Sequence, residues 1–359
     1  MPGHILYVAG RVPGASAGEK TTQKQSKNTH TWLPKSKRKE YNERMNTYNT
    51  NDLYCLVGLP YSGKSTYAKR LKAELEAQGR QVKILSSDTI RGELFGSEEC
   101  QSDNHAVFDI MRERAITALR TGKDVILDAT SLGYKLRMTR VIAVYAPYAR
   151  KMLCHFMATP FDIIEQRQKE RKRVVPMEKV VDMYKKNLWL PNLCEGWDEI
   201  EFIYPDDFEV RDYNALLSEL RKIDHHNPHH TETIGAHCEN AAALLRKTGA
   251  SKDLVLAGLL HDIGKPITMT RKDRKGNPSK FTHFYGHERT SAYDALFYIP
   301  EGYDRAYVTA LIAWHMSPYS STSGFLGEGS FRDFERLFAA DTAFYNDVMA
   351  LHEADLLAG

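Results

Sequence analysis

The spacing of apolar positions along this chain changes character twice. Residues 1 to about 50 have no period: aliphatic side chains are scarce after Val12, and Lys, Arg, Ser, Thr, Asn and Gln dominate. From Asp52 to about Leu220, short apolar runs alternate with longer amphipathic stretches. Leu53-Tyr54-Cys55-Leu56-Val57, Val82-Lys83-Ile84-Leu85, Asp124-Val125-Ile126-Leu127-Asp128 and Lys151-Met152-Leu153-Cys154-His155-Phe156 have the length of buried strands. Between and after them, helices are predicted from Thr66 to Gln78 (closed by Gly79), Asn104 to Thr121, Tyr134 to Tyr145 and Phe161 to Lys172. This alternation predicts an α/β domain, a parallel sheet with helices on both faces, and ligands outside the C-terminal strand ends. From about Arg221 the period is helical, which predicts an all-α second domain. The expected division is a leader over 1–50, an α/β domain over 51–220 and a helical domain over 221–359.

Composition narrows the class. At 359 residues the chain can hold two cores, and its small positive net charge permits a polyanionic partner without demanding one. Five cysteines, odd in number and without C-x-x-C spacing, argue against a disulfide framework. No apolar run is long enough to span a membrane and the first residues do not form a signal peptide, so the expectation is a cytoplasmic protein. Lys35-Ser36-Lys37-Arg38-Lys39 is the densest basic patch of the leader. It reads as a solvated segment, with a phosphate-touching arm as the alternative. Met45, just before the first strand, is a candidate natural start.

The first stretch with evident chemistry is Gly58-Leu59-Pro60-Tyr61-Ser62-Gly63-Lys64-Ser65-Thr66, a G-x-x-x-x-G-K-[ST] loop between strand and helix. Its glycines let backbone N–H groups turn toward phosphate oxygens, and the helix N-terminus adds partial positive charge. Lys64 is positioned to reach β- and γ-phosphates and Ser65 to hold Mg²⁺, so a nucleoside triphosphate, ATP, is the expected ligand. Polar residues follow the strand ends. Asp88 and Arg91 come after the second strand, and Asp128 ends the third. A carboxylate there can accept a proton from an attacking hydroxyl, with an arginine three residues on to orient it. A helix N-cap is the structural alternative for Asp88. Arg167 and Arg171, four apart on one helical face, can clamp a transferring phosphoryl group or form a solvated charged face.

Taken in order, GxPxSGKST, SxDxxR, ILDAT, the Arg-x-x-x-Arg pair and Val175-Pro176 through Met183-Tyr184 resemble the 5′-kinase domain of phage polynucleotide kinase over roughly Asp52 to Pro205. The resemblance implies Asp88 as general base on a 5′-OH, Arg91 positioning it, and Lys64 and Ser65 serving ATP and Mg²⁺. It also implies Arg167 and Arg171 as lid arginines, and Asp128 with Arg137 on the acceptor side. The phosphatase motif D-x-D-G-T found in the other half of the phage enzyme is absent, as is the nucleotidyltransferase motif K-x-D-G.

Ten of the fourteen histidines instead fall between His225 and His352. His261-Asp262 ends an apolar helix (Leu254 to Leu260) just before Gly264-Lys265-Pro266. An imidazole and a carboxylate delivered together suit a divalent metal with positions open to water and phosphate. With His237 upstream and Asp355 downstream, the set resembles the HD phosphohydrolase superfamily, most closely the HD domain attached to some tRNA nucleotidyltransferases. The resemblance implies one metal on His237, His261, Asp262 and Asp355, and a second on His287, His315 and bridging Asp262. Mn²⁺, Ni²⁺ and Co²⁺ are candidates. Lys265 is expected to bind a phosphate oxygen, with His229 and His230 as weaker candidates.

Three functions fit. The first is an enzyme that heals nucleic-acid ends, RNA or DNA, by 5′ phosphorylation and by removal of a 3′-, 2′- or 2′,3′-cyclic phosphate, with a separate ligase as partner. The second is a nucleoside or small-molecule kinase fused to a nucleotidase. The third is a regulatory protein with an ATP switch and a nucleotide-sensing pocket. The sequence leaves the oligomeric state open.

Overall fold

The computed structural model describes residues 49–100, 102–170, 175–226, 232–319 and 329–359. The leader before residue 49, Arg171, His229 and His230 lie outside them.

A five-stranded parallel sheet forms the first half, in the order β2-β3-β1-β4-β5: β1 is Leu53–Val57, β2 Val82–Ser86, β3 Asp124–Asp128, β4 Met152–Met157 and β5 Glu199–Ile203. The first four were legible as apolar runs. β5, Glu-Ile-Glu-Phe-Ile, alternates polar and apolar residues and sits at the sheet edge, beyond the reach of a search for continuous apolar runs. The Lys64–Ala77 helix ends with Gly79 at φ +81°, as a left-handed cap requires. The stretch expected as one helix from Tyr134 to Tyr145 is helical in three pieces, with a π-helical turn over Arg137–Ile142.

The three central strands, β1, β3 and β4, are buried on both faces, and their alternation sorts two cores. Tyr54, Leu56, Ile126 and Leu153 face Ala68, Leu71 and Leu75 of the Lys64–Ala77 helix. Leu53, Cys55, Val57, Val125, Leu127, Cys154 and Phe156 face the other way, into a core that continues without a break through Ala257, Leu260, Tyr293, Trp314 and Leu351 of the second half.

The second half is helical. Helices Ile234–Lys247, Lys252–Leu260, His287–Ala295, Arg305–Trp314 and Thr342–Leu357 pack against one another, and Gly329–Phe338 lies beside the last. To the helical expectation the structure adds one antiparallel ribbon, β6 (Thr270–Lys272) with β7 (Pro278–His283). The halves meet through aromatic side chains: Trp189 and Trp314 lie 4.9 Å apart, and Phe156 and Tyr293 6.0 Å. Among the described residues, no helix is long and apolar enough to cross a membrane.

Candidate functional site

At the C-terminal end of β1 the chain turns tightly. Tyr61 and Gly63 both have positive φ, at +67° and +96°. A Cβ on Gly58 would lie 2.8 Å from Ser62 Oγ and 3.0 Å from Met157 Cβ, so close packing against β4 requires glycine there. Lys64 folds its ammonium over the loop, donating to the carbonyls of Gly58 (3.0 Å) and Leu59 (2.8 Å). Ser65 and Thr66 are exposed in the first turn of the helix, available to a ligand seated on that terminus. Arg167, in helix Phe161–Glu170, donates to the Tyr61 carbonyl at 3.4 Å, which draws its guanidinium to the loop. A cavity of about 440 Å³ opens beside it, between Thr66, Tyr67 and Arg70 on one side and Tyr204 and Pro205 on the other.

Asp88 is not a helix cap. The cap of Ser87–Phe95 is Ser86, and Asp88 stands in the first turn with its carboxylate half exposed. Arg91 is buried beneath it and donates to Oδ1 at 2.7 Å, while its other arm holds Asn104 at 3.0 Å. Asp128 is buried, in register with Leu56 of β1 and Ser86 of β2, so the sheet places it between the phosphate loop and the Asp88 helix. The backbone beyond it, Ala129 to Gly133, lines a second cavity of about 1060 Å³ that is closed in part by Trp314 and Asp333 of the second half.

Arg137 is a correction. Its side chain is fully buried and binds Glu195 with Nε and Nη2 at 2.7 and 2.6 Å. The remaining donors reach the carbonyls of Ser131, Leu132, Trp189 and Leu190. With its donors committed this way, Arg137 braces the loop after β3 at the wall of the larger cavity.

The helices of the second half bring six side chains together: His237, His261, Asp262, His287, His315 and Asp355. His261 directly follows helix Lys252–Leu260, His315 directly follows Arg305–Trp314, and His287 opens its own helix. In each of the three, Nδ1 meets the carbonyl three residues earlier at 2.7–2.8 Å (Gly258, Ile312 and Phe284). That bond fixes the tautomer and aims Nε2 inward. His237 Nε2 lies 2.8 Å from Asp355 Oδ1, and His261 Nε2 is 3.3 Å from both. His287 Nε2 lies 3.1 Å from Asp262 Oδ1.

These atoms form two sets that share Asp262: His237, His261, Asp262 and Asp355, and Asp262, His287 and His315. They fit a metal on three grounds. The donor atoms stand about as far apart as neighbouring ligands at ~2.1 Å from one ion, for which a right angle gives ~3 Å. His315 Nε2 is buried without a hydrogen bond, and both Asp262 oxygens are buried facing imidazole nitrogens of this set. Burial, reinforced by the charges of His261 and His287, pushes His315 down to about 3, so its lone pair is free at neutral pH. Burial also works against charge on His261 and Asp262. Even so, Asp262 holds His261 well above the ordinary imidazole range, and His261 with Lys265 holds Asp262 well below the carboxylate range.

Lys265 is buried at this centre, its ammonium against Asp262 Oδ2 and 3.1 Å from His225 Nε2. His225, fully buried and bound through Nδ1 to the Glu232 carbonyl at 2.8 Å, was not marked by the sequence. It belongs to no motif, and only the fold brings it to the lysine. His352 packs edge-on against Tyr319, whose hydroxyl holds Asp355 Oδ2 at 2.9 Å.

This is a chain that couples a P-loop kinase domain to an HD domain. Residues 53–188 match the AAA domain family model and residues 234–357 the HD domain. The first domain implies ATP and Mg²⁺, the second divalent metals. Among curated proteins, L-seryl-tRNA(Sec) kinase of Methanococcus maripaludis is 27% identical over 172 residues. That match covers 48% of this chain and 66% of the relative, just under two thirds of its length. Among solved structures, a chain of the Pnkp1/Rnl/Hen1 RNA repair complex is 21% identical, with TM-score 0.33, over 39% of this chain and 44% of that one. The Mycobacterium tuberculosis APS kinase CysC in complex with AMPPNP and APS is 19% identical, with TM-score 0.34, over 44% and 90%.

Proposed function

We propose that this protein heals nucleic-acid ends, phosphorylating a 5′-OH with ATP and removing a terminal 3′-phosphate, or a 2′- or cyclic phosphate, at the HD centre. The observation that carries the reading is one chain holding both an oriented carboxylate on the same sheet edge as a phosphate loop and seven donor atoms, shared at Asp262, that could hold metal. The name of the curated relative, a kinase whose acceptor is carried on tRNA, favours RNA as the acceptor class.

In the kinase step, Lys64 leaves the loop carbonyls for β/γ-phosphate oxygens and the Ser65 hydroxyl serves Mg²⁺. Asp88, held by Arg91, takes the proton of the attacking hydroxyl. Arg167, with Arg171, neutralises charge spreading over the equatorial oxygens. Asp128 holds the acceptor side. The smaller cavity, walled by Tyr67 and Tyr204, suits the adenine ring, and the larger suits the acceptor.

In the hydrolase, the seven donors hold divalent metal, which when bound supplies an activated water and neutralises the phosphoester. His261, His287 and His315 keep their Nε2 atoms directed at it through their carbonyl contacts. Tyr319 fixes the orientation of Asp355. Lys265, steadied by His225, turns toward a phosphate oxygen.

A second reading, a nucleoside or small-molecule kinase joined to a nucleotidase, is favoured by the volume of the larger cavity, near the upper range for small-molecule sites. One assay separates them. A labelled oligonucleotide with 5′-OH and 3′-phosphate is given ATP and Mg²⁺, and separately Mn²⁺, Ni²⁺ or Co²⁺ without ATP. A gained 5′-phosphate and a lost 3′-phosphate are expected. Reaction with nucleosides and mononucleotides but not with strands would overturn the end-healing reading.

A further inference from the structure

The β6–β7 ribbon leaves the HD core directly after the short helix of Lys265 (Lys265–Thr268) and returns directly before His287, so both its ends are rooted in the metal centre. Its root is packed there too. Phe284 stands edge-on to His225 at 5.9 Å, the Lys265 ammonium lies 5.5 Å from the Phe284 ring, and Thr282 N donates to the His226 carbonyl at 3.2 Å.

Between Thr270 and His283 the ribbon carries five cations, Arg271, Lys272, Arg274, Lys275 and Lys280, against one carboxylate, Asp273. All five cations are exposed, and none forms an ion pair among the described residues. Asp273 offsets only one of them and forms no ion pair with any, because its carboxylate is turned into the turn. It accepts from the amides of Lys275 (2.9 Å) and Asn277 (2.8 Å) and from Asn277 Nδ2 (3.0 Å). Gly276, at φ +88°, completes the turn, so the tip is held in one conformation. Apolar surface accompanies the charge: Phe281 is 38% exposed and Met269 likewise, with Lys280 over the Phe281 ring. At the base, His283 stacks on Tyr285 at 5.2 Å.

An ordinary solvated face interleaves both signs of charge and buries its aromatics. Here cations without an ion-pair partner among the described residues, one exposed ring (Phe281) and the half-buried Tyr285 under Arg274 (5.2 Å) run along one arm toward a centre read as accepting phosphoesters. That combination recognises single-stranded nucleic acid, cations on the phosphates and rings under the bases.

We propose that the 270–283 ribbon is the strand-binding arm of the HD centre, gripping single-stranded nucleic acid upstream of the terminal phosphate delivered to the metals. The proposal rests on the strand-end reading of that centre and adds what selects a strand over a mononucleotide.

The test compares the metal-loaded full chain with Arg271→Ala/Lys272→Ala/Lys275→Ala and, separately, Phe281→Ala. Binding of a fluorescent single-stranded 12-mer with a 3′-OH is followed by anisotropy across salt concentrations. Hydrolysis is measured on the same strand ending in 3′-phosphate and on a nucleoside 3′-monophosphate. The triple variant should flatten the slope of log affinity against log salt by about 2, at ~0.7 per lost phosphate contact. Its KM for the strand should rise at least roughly tenfold, with mononucleotide turnover unchanged. Phe281→Ala should weaken strand binding about tenfold with little change in salt slope. A triple variant with wild-type salt slope and strand KM would overturn the arm while leaving the strand-end reading intact. Wild-type enzyme that prefers the mononucleotide to the strand would overturn that reading, and the arm with it.

Discussion

Tyr184 donates its hydroxyl to Oδ1 of Asp294 across 2.6 Å, tying the kinase domain to the helix that opens with His287. Asp294 is half-buried, and loss of water around it pushes its carboxyl up to about 7, against the opposing pull of the Tyr184 hydroxyl and the Arg211 charge. The folded protein therefore holds this proton where the unfolded chain, with an ordinary carboxyl, has released it. Stability from this group is complete below the unfolded value near 4 and is lost as pH rises through about 7. Asp294→Asn keeps an acceptor for Tyr184 and removes the titration. The fall in Tm between pH 5 and pH 8 should shrink by at least ~2 °C in this variant. An unchanged pH dependence would show that Asp294 is not the group responsible.

Arg137 should act on stability and not on catalysis. Removing it leaves Glu195 buried without its partner, a loss of about 3–5 kcal/mol for a broken interior pair. Arg137→Ala should therefore unfold at a markedly lower denaturant midpoint. At a temperature where it remains folded, its KM for the phosphoryl acceptor should match wild type. A raised acceptor KM in folded protein would return this arginine to the substrate site.

The two catalytic functions should separate by mutation. Asp88→Ala should cut phosphoryl transfer by at least ~10²-fold, with phosphoester hydrolysis kept, since general-base catalysis contributes on that scale. Arg91→Ala, which leaves the carboxylate without its 2.7 Å anchor, should lower kcat less severely than Asp88→Ala. Equal loss of both activities in Asp88→Ala would contradict two independent centres.

Asp262 is common to both metal sets, so Asp262→Ala should reduce bound metal as well as hydrolysis, whereas His315→Ala should spare the first set. Elemental analysis of purified protein reads this directly. Chelation followed by dialysis should abolish hydrolysis and lower Tm, because metal binds only the folded cluster. Full activity after chelation would exclude the metal assignment.

The legible parts of this molecule are those in which chemistry fixes local spacing. The loop from Gly58 to Thr66 is one turn between strand and helix, and His261-Asp262 is one helix end, so neighbours in sequence are neighbours in space. His237, His287, His315 and Asp355 were reached through a resemblance, because only the packing of five helices brings them together. Arg137 too was reached only through the resemblance, and nothing local reveals that Glu195, fifty-eight positions on, binds it in the interior. β5 at the sheet edge and the charged β6–β7 ribbon lack the continuous apolar run that marks a buried strand.

The sheet face formed by Leu53, Cys55 and Val57 has a further consequence, for synthesis. Those residues leave the ribosome well before the second half is made, yet the core they belong to is completed by Tyr293, Trp314 and Leu351. At ~5–20 residues per second, the nascent kinase half presents an apolar flank for more than ten seconds before its cover exists. A gene cut between the domains would leave that flank bare, so chaperone demand during translation is written into the order in which the two halves are made.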